Sequence, residues 1–256
     1  MRSLSVIIPA FNEEYRLPDT LDKLHAYSAT LPLEKLEILV IDDGSVDGTA
    51  EVVRQRSLID ARVKLLQNPG NRGKGYAVRH GMLAASAEWR LLTDADLSTP
   101  INELGKLYRA ATDSDAAVAI GSRALDRSLI ARHQSVFRES GGRLFNFVMR
   151  LLTGLPFVDT QCGFKLYRAD AAGAIFSRQV LDGFSFDVED MFIARKLGLR
   201  VVEVPVAWAN AEGTKVSLRS TVRAFTDLVR IRRYDKRSRY DLELGLDGGV
   251  KCEYKC

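Results

Sequence analysis

Leu91-Leu92-Thr93-Asp94-Ala95-Asp96-Leu97-Ser98-Thr99-Pro100 passes from apolar to acidic within a few residues. The apolar run from Trp89 to Thr93 reads as a buried strand. It ends in two carboxylates one residue apart, so a tight turn can offer both to a single hard cation, and a cation held that way takes phosphate oxygens as further ligands. Ser98-Thr99-Pro100 carries the signature of a helix start, with a hydroxyl cap ahead of the proline. An Asp-x-Asp pair also occurs in solvated loops and helix caps, so its meaning rests on the strand before it and the helix after it. In open α/β sheets, ligands bind at such strand ends.

The same punctuation recurs along the chain. Leu4 to Ile8 ends in Pro9-Ala10-Phe11-Asn12-Glu13-Glu14, after which Leu17, Leu21 and Leu24 fall at helical spacing. Leu36 to Ile41 ends in Asp42-Asp43-Gly44-Ser45, and Asp47-Gly48-Thr49 opens a helix through Arg54. Val63 to Gln67 is followed by Asn71-Arg72-Gly73-Lys74-Gly75 and a small-residue helix from Tyr76 to Ala85. A helix from Ile101 to Ala111 and a strand from Ala116 to Gly121 follow the acidic turn. This alternation predicts a parallel, three-layer α/β sheet with its polar loops gathered at one edge. Beyond Gly121 we expect a polar loop, an apolar helix from about Gly141 to Leu152, strands over Gly163 to Arg168 and Arg200 to Pro205, and helices around Asp170 to Phe176 and Asp187 to Leu197.

With 256 residues, 46% hydrophobic and 27% charged, the chain can bury one substantial core and lacks the depletion that marks disorder. We expect a catalytic domain over residues 1–216, a basic amphipathic helix over 217–241 and a polar tail over 242–256. A net charge of +4 suits anionic partners without choosing among them. No apolar stretch has the length needed to cross a bilayer, and Met1-Arg2-Ser3 leads straight into a strand, so a cytoplasmic protein without a signal peptide is expected. Cys162, Cys252 and Cys256 are an odd number, two of them in the tail, which argues against a disulfide framework. From Ser217 to Arg239, Leu218, Val222, Phe225, Val229 and Ile231 oppose Arg219, Arg223, Arg230, Arg232, Arg233, Lys236, Arg237 and Arg239. Two readings fit this segment: a packing helix with a solvated face, or a helix lying on an anionic membrane surface.

The Gly-rich loop Gly70-Asn71-Arg72-Gly73-Lys74-Gly75 lacks the Gly-x-Gly-x-x-Gly order, and no Ser or Thr follows Lys74. A dinucleotide-binding oxidoreductase and a P-loop ATPase are both excluded. Taken in order, the four strand-end motifs resemble the family 2 glycosyltransferases of the GT-A fold. Ile120-Gly121-Ser122-Arg123, Asp159-Thr160-Gln161-Cys162-Gly163-Phe164-Lys165 and Phe184-Ser185-Phe186-Asp187-Val188-Glu189 resemble its polyprenyl-phosphate branch, the dolichyl-phosphate β-glucosyltransferases in particular. The resemblance covers about Leu4 to Ser217.

It implies a three-layer α/β/α nucleotide-diphospho-sugar transferase fold with a mostly parallel central sheet. It implies inverting transfer of a sugar, glucose from UDP-glucose, to a polyprenyl or dolichyl phosphate. By resemblance, Pro9, Phe11, Glu13, Asp42, Asp43, Lys74, Asp94 and Ala95 belong to the donor site, and Asp94 and Asp96 hold Mg²⁺ or Mn²⁺ against the diphosphate. Asp96, Asp187 and Asp159 are the candidate catalytic residues. The acceptor phosphate is expected near Arg123 and a second arginine, with Arg138 the first choice and Arg132 or Arg143 in reserve.

The chemistry agrees with that pattern. A nucleoside-diphosphate leaving group gains negative charge as the sugar bond breaks, and a divalent cation stabilises it. A phosphate monoester, with a second pKa near ~6, is largely ionised at neutral pH and needs no strong general base. Asp159, Asp187 and Glu189 are therefore expected to orient Arg123, Lys165 or the metal, with Asp187 the best placed for direct participation. Relatives of this branch carry membrane anchors. Here the lipid is expected to be met peripherally, by Gly141 to Leu152 and Ser217 to Arg239 on the cytoplasmic face, with no nucleic-acid partner. The alternatives are a family 2 enzyme acting on a saccharide or small-molecule hydroxyl, and a sugar-nucleotide pyrophosphorylase. The latter opens with a Gly-rich loop directly after its first strand, where this chain has Pro9-Ala10-Phe11-Asn12-Glu13.

Overall fold

Alternate residues of a strand leave opposite faces of a sheet, so a strand covered on both sides is apolar throughout rather than alternating. That is the condition of the central strands here. The structure, a computed structural model, describes residues 1–132, 146, 148–209, 218–241, 243–244 and 250–251. Strands β1 (Ser3–Ala10), β2 (Lys35–Asp42), β3 (Val63–Gln67), β4 (Trp89–Leu92), β5 (Val118–Ser122), β7 (Lys165–Arg168) and β8 (Val201–Pro205) form one sheet in the order β3-β2-β1-β4-β7-β5-β8. Two short strands, β6 (Ile130–Arg132) and β9 (Trp208–Ala209), pair as a separate ribbon.

On one face, Leu4, Val6 and Ile8 of β1, with Ile38 and Val40 of β2, pack against α1 (Leu17–Ser28), α2 (Thr49–Ile59) and α4 (Leu104–Asp113) through Leu17, Leu21, Val53, Leu104 and Leu107. On the other, Ile7, Leu39 and Ile41 meet α3 (Lys74–Ala84), α5 (Ala169–Phe176) and α6 (Phe186–Lys196) through Val78, Met82, Ile175 and Met191. The three expected layers are present. Among the described residues of this seven-stranded sheet, the departure from parallel order is β7, which runs antiparallel to both β4 and β5.

The C-terminal helix α7 (Leu218–Lys236) joins the second of these cores. Leu228 and Ile231 are fully buried there, with Ala224, Phe225 and Tyr234 packed beside them. Val229, grouped with Ile231 in the sequence reading, is instead 58% exposed, because residues two apart on a helix point in different directions. Arg230, Arg232, Arg233, Lys236 and Arg237 are exposed. A 3₁₀ turn, Arg239–Asp241, follows, and two strands, Glu243–Leu244 and Val250–Lys251, pair within the segment expected as a polar tail. Of the expected apolar helix, residues 148–153 are helical, and 141–145 and 147 lie outside the described residues. Cys162 is a buried free thiol; Cys252 and Cys256 lie outside the described residues. Among the described residues no helix is long and apolar enough to cross a membrane.

Burial of this stripe predicts that Leu228→Ala lowers stability by about 3 kcal/mol, whereas Val229→Ala changes it by less than ~0.5 kcal/mol. Denaturant midpoints of the two variants check this; equal, small losses would mean that α7 does not belong to the core.

Candidate active site

The sheet register brings the polar loops together. Ala10 lies beside Asp42, Asp42 beside Gln67, and Ile7 beside Leu92, so the loops after β1, β2, β3 and β4 all leave from one edge. Because β7 is antiparallel, it enters where its neighbours leave. Its first residue, Lys165, pairs with Leu92 on one side and Ile120 on the other. The preceding Gly163 is so close to Asp94 that a β-carbon there would strike the Asp94 Oδ2 atom.

Asp94 to Leu97 forms a turn in which the Leu97 N–H donates to the Asp94 carbonyl at 3.2 Å, with Leu97 in the left-handed region at φ 45°. The Thr20 hydroxyl donates to the carbonyl of buried Ala95 at 2.7 Å, fixing the turn against α1, and the Ser98 N–H donates to Asp96 Oδ1 at 2.9 Å. Asp94 and Asp96 remain partly exposed on either side of Ala95. The expected hydroxyl cap is not formed. A 3₁₀ turn, Ile101–Glu103, precedes α4 without a side-chain cap, and Thr99 Oγ1 lies 3.8 Å from Cys162 Sγ.

Lys74 Nζ donates to Asp94 Oδ1 at 2.6 Å. Burial works against its charge, but Asp94 and Asp187 outweigh that and hold its pKa above the ordinary lysine value. Among the described residues no three His, Cys, Asp or Glu side chains converge as a closed metal cage. Two partly exposed carboxylates, Asp94 and Asp96, instead fit Mg²⁺ or Mn²⁺, hard cations that take one or two carboxylates and leave the other positions to phosphate and water.

Of the residues expected at the donor, Asp42 and Asp43 are turned into the loops. Buried Asp43 accepts from Asn68 Nδ2 at 2.7 Å and from the backbone N–H groups of Arg72 and Gly73 at 3.1 and 2.7 Å. Asp42 accepts from the Ser45 N–H and from Gln67 Nε2. Both brace the loops after β2 and β3, and His80 extends the Asp43 network through Asn68 at 2.7 Å. Pro9, Phe11 and Glu13 sit partly exposed at the end of β1, Glu13 accepting from Arg16. Asn68 and His80 carried no sequence signal, being ordinary polar residues in a loop and a helix.

Across the site, the Arg123 backbone N–H, Nε and Nη2 donate to Asp159 at 3.0, 2.7 and 2.8 Å. This pairing, against the cost of burial, holds the arginine pKa above its usual value and the carboxyl of Asp159 below its own. Asp159 in turn is fixed by its own N–H to Glu203, and the Arg123 guanidinium lies 5.6 Å from the centre of the Trp208 ring. Arg138 and Arg143 lie outside the described residues, as does the side chain of Arg132.

Beneath both pairs, fully buried Lys165 donates to Asp187 at 2.5 Å and to Asp190 at 3.3 Å, and the Tyr167 hydroxyl donates to Asp190 at 2.5 Å. Burial pushes the Asp190 carboxyl up to about 7 and raises Asp187 as well, although Lys165 and Lys74 oppose this at Asp187. Asp190 stands three residues after Asp187, one helical turn on. That spacing was the available signal for it.

A family model described as Glycosyl transferase family 2 matches residues 5–176. The dolichyl-phosphate beta-glucosyltransferase of Drosophila melanogaster is 39% identical over 226 residues, 84% of this chain and 69% of that protein. Its counterpart in Homo sapiens is 35% identical over 227 residues, 84% of this chain and 70% of that protein. The crystal structure of glucosyl-3-phosphoglycerate synthase from Mycobacterium tuberculosis in complex with Mn²⁺, UDP-glucose and phosphoglyceric acid superposes with a TM-score of 0.62 at 17% identity, covering 94% of this chain and 80% of that one. At that identity the likeness is one of fold, and the expected GT-A architecture is the observed one.

The elevated carboxyl of Asp190 contributes stability that is complete below its ordinary pKa of 3.8 and is lost as pH rises through about 7. Asp190→Asn, which cannot ionise, is expected to flatten the decline in stability between those two pH values, measured as denaturant midpoints. An unchanged slope would place the titration elsewhere.

Proposed function

Because the chain belongs to glycosyltransferase family 2, we propose that it moves glucose, with inversion, from UDP-glucose to a polyprenyl or dolichyl phosphate at the cytoplasmic face of a membrane. The observation that carries this reading is that the loops after β1 to β4 leave from one sheet edge, where Lys74 Nζ donates to Asp94 Oδ1 at 2.6 Å and Gly163, at the entry to β7, lies against Asp94. The names of the relatives support glucose as the sugar and a lipid phosphate as the acceptor.

Asp94 and Asp96 would hold Mg²⁺ or Mn²⁺, which supplies positive charge for the diphosphate as it leaves. Lys74, kept charged by Asp94 and Asp187, lies beside Asp94 and would add to that stabilisation. Arg123, locked in one orientation by Asp159, has Nη1 outside that pair for an acceptor phosphate. An acceptor oxygen forms the new bond to the anomeric carbon as the bond to UDP breaks, and UDP takes the bonding electrons. The ionised phosphate needs no proton removed. A hydroxyl acceptor would need a base, and Asp187, raised by burial, is the group suited to that second reading.

The exposed cations Arg230, Arg232, Arg233, Lys236 and Arg237 on α7, with Leu151 at 73% exposure, support peripheral contact with anionic lipid.

The primary test is transfer of radiolabelled glucose from UDP-glucose to a short polyprenyl phosphate with Mg²⁺ or Mn²⁺. Wild type is expected to form glycolipid, and Asp96→Ala to lose about a hundredfold or more in rate. Arg123→Glu is expected to abolish lipid glycosylation while donor hydrolysis persists. UDP release by wild type without glycolipid would move the acceptor to a hydroxyl; no binding of any nucleotide sugar would sink the proposal. Separately, vesicles containing anionic lipid should sediment the protein at low salt, and failure to do so would remove the membrane from this reading.

A further inference from the structure

Glu189 has no exposed surface, and burial pushes its carboxyl up to about 7. Its two oxygens are nonetheless well used. Oε2 accepts the Leu181 N–H at 2.7 Å, and Oε1 accepts the Val180 N–H at 3.2 Å and the Tyr240 hydroxyl at 2.8 Å. Tyr240 belongs to the turn after α7, is 1% exposed and packs against Phe192 and Tyr234. Lys196 of α6 holds the same turn from outside through Asp235 and Asp241.

Residues 179–183, which Glu189 grips, are fastened on their other side to the start of α3. The Tyr76 N–H donates to the Asp182 carbonyl at 3.2 Å, and Gln179 Nε2 donates to the Gly75 carbonyl at 3.0 Å. Arg79 reaches the Gln179 carbonyl at 3.2 Å and Asp182 Oδ1 at 2.9 Å. The approach is so close that a β-carbon on Gly75 would strike the Leu181 carbonyl and lie 2.8 Å from that of Gly183. Lys74, one residue earlier, is the cation on Asp94.

A continuous path of hydrogen bonds and backbone thus runs from the C-terminal turn, through Glu189 and residues 179–182, to the first turn of α3, which begins at Lys74. Resting on the reading of Lys74 and Asp94 as the donor site, we propose that Tyr240 and Glu189 are positioning residues for the sugar-nucleotide donor, latching the C-terminal turn to the Lys74 loop. Neither touches the donor. They set how firmly residues 73–77 are held, and so how much ordering remains for the donor to bring about on binding.

The test uses the full chain carrying Tyr240→Phe or Glu189→Gln. Phenylalanine keeps the packing of the ring, and glutamine keeps the volume of the acid while replacing one acceptor oxygen with a donor. Hydrogen exchange of the free protein is expected to quicken about fivefold to tenfold at amides 76–77 and 180–181 in both variants, with β1 and β2 unchanged. The KM for UDP-glucose should rise by a similar factor, while kcat and the KM for polyprenyl phosphate stay within about twofold. A uniform rise in exchange across the sheet, or a rise confined to residues 239–241 with the donor KM unchanged, would overturn the proposal. Should Tyr240→Phe fail to fold, Glu189→Gln decides. If wild type does not use UDP-glucose, the donor reading fails, and the exchange pattern by itself judges the latch.

Discussion

Everything at the site depends on burying one lysine. Lys165 has no exposed surface and answers its charge with Asp187 and Asp190 on α6. An unpaired ammonium in that position would be prohibitively costly, and removing one partner of such a group is far worse than never having it. The lysine therefore does more than stabilise. It ties the middle of the sheet to the helix that carries Asp187, and it fixes the distance between the acidic turn after β4 and the wall formed by α6.

This arrangement is possible because β7 is antiparallel. A parallel strand would bring its last residue to the site edge; β7 brings its first, so that Gly163 and Lys165 lie under Asp94 and beside Ile120. The half of the site proposed for the donor, built from the ends of β1 to β4, and the half proposed for the acceptor, built from Arg123 and Asp159, are joined through that single inserted strand. Asp187 sits at the seam, between charges of both halves.

The first four βα units were legible because each apolar run breaks into Asp, Asn or Gly within a residue or two of its end, and the sheet edge follows from those breaks. The direction of β7 was not legible. Four residues, three of them buried, carry no sign of which way they run, and the ribbon of β6 and β9 is too short for any periodicity to register. The acidic motifs were readable as a set, but not which of them face outward. Asp42 and Asp43 look equivalent to Asp94 and Asp96 as letters, and only the loop amides that claim Asp43 set it apart. The stripe on α7 was misjudged at Val229 and missed Leu228, because an arginine-rich helix offers several narrow apolar faces and the core selects one.

The strand order also bears on how many copies of the chain can crowd together. Among the described residues, β3 and β8 have no partner on their outer sides. Both are five residues long, β3 carries Lys64, and β8 carries Glu203 and ends in exposed Pro205. Short edges bearing a charge or a proline are poor templates for strands from another molecule. At the membrane surface proposed for it, the protein would meet its own copies far more often than in free solution, and these edges would let it do so without growing intermolecular sheet.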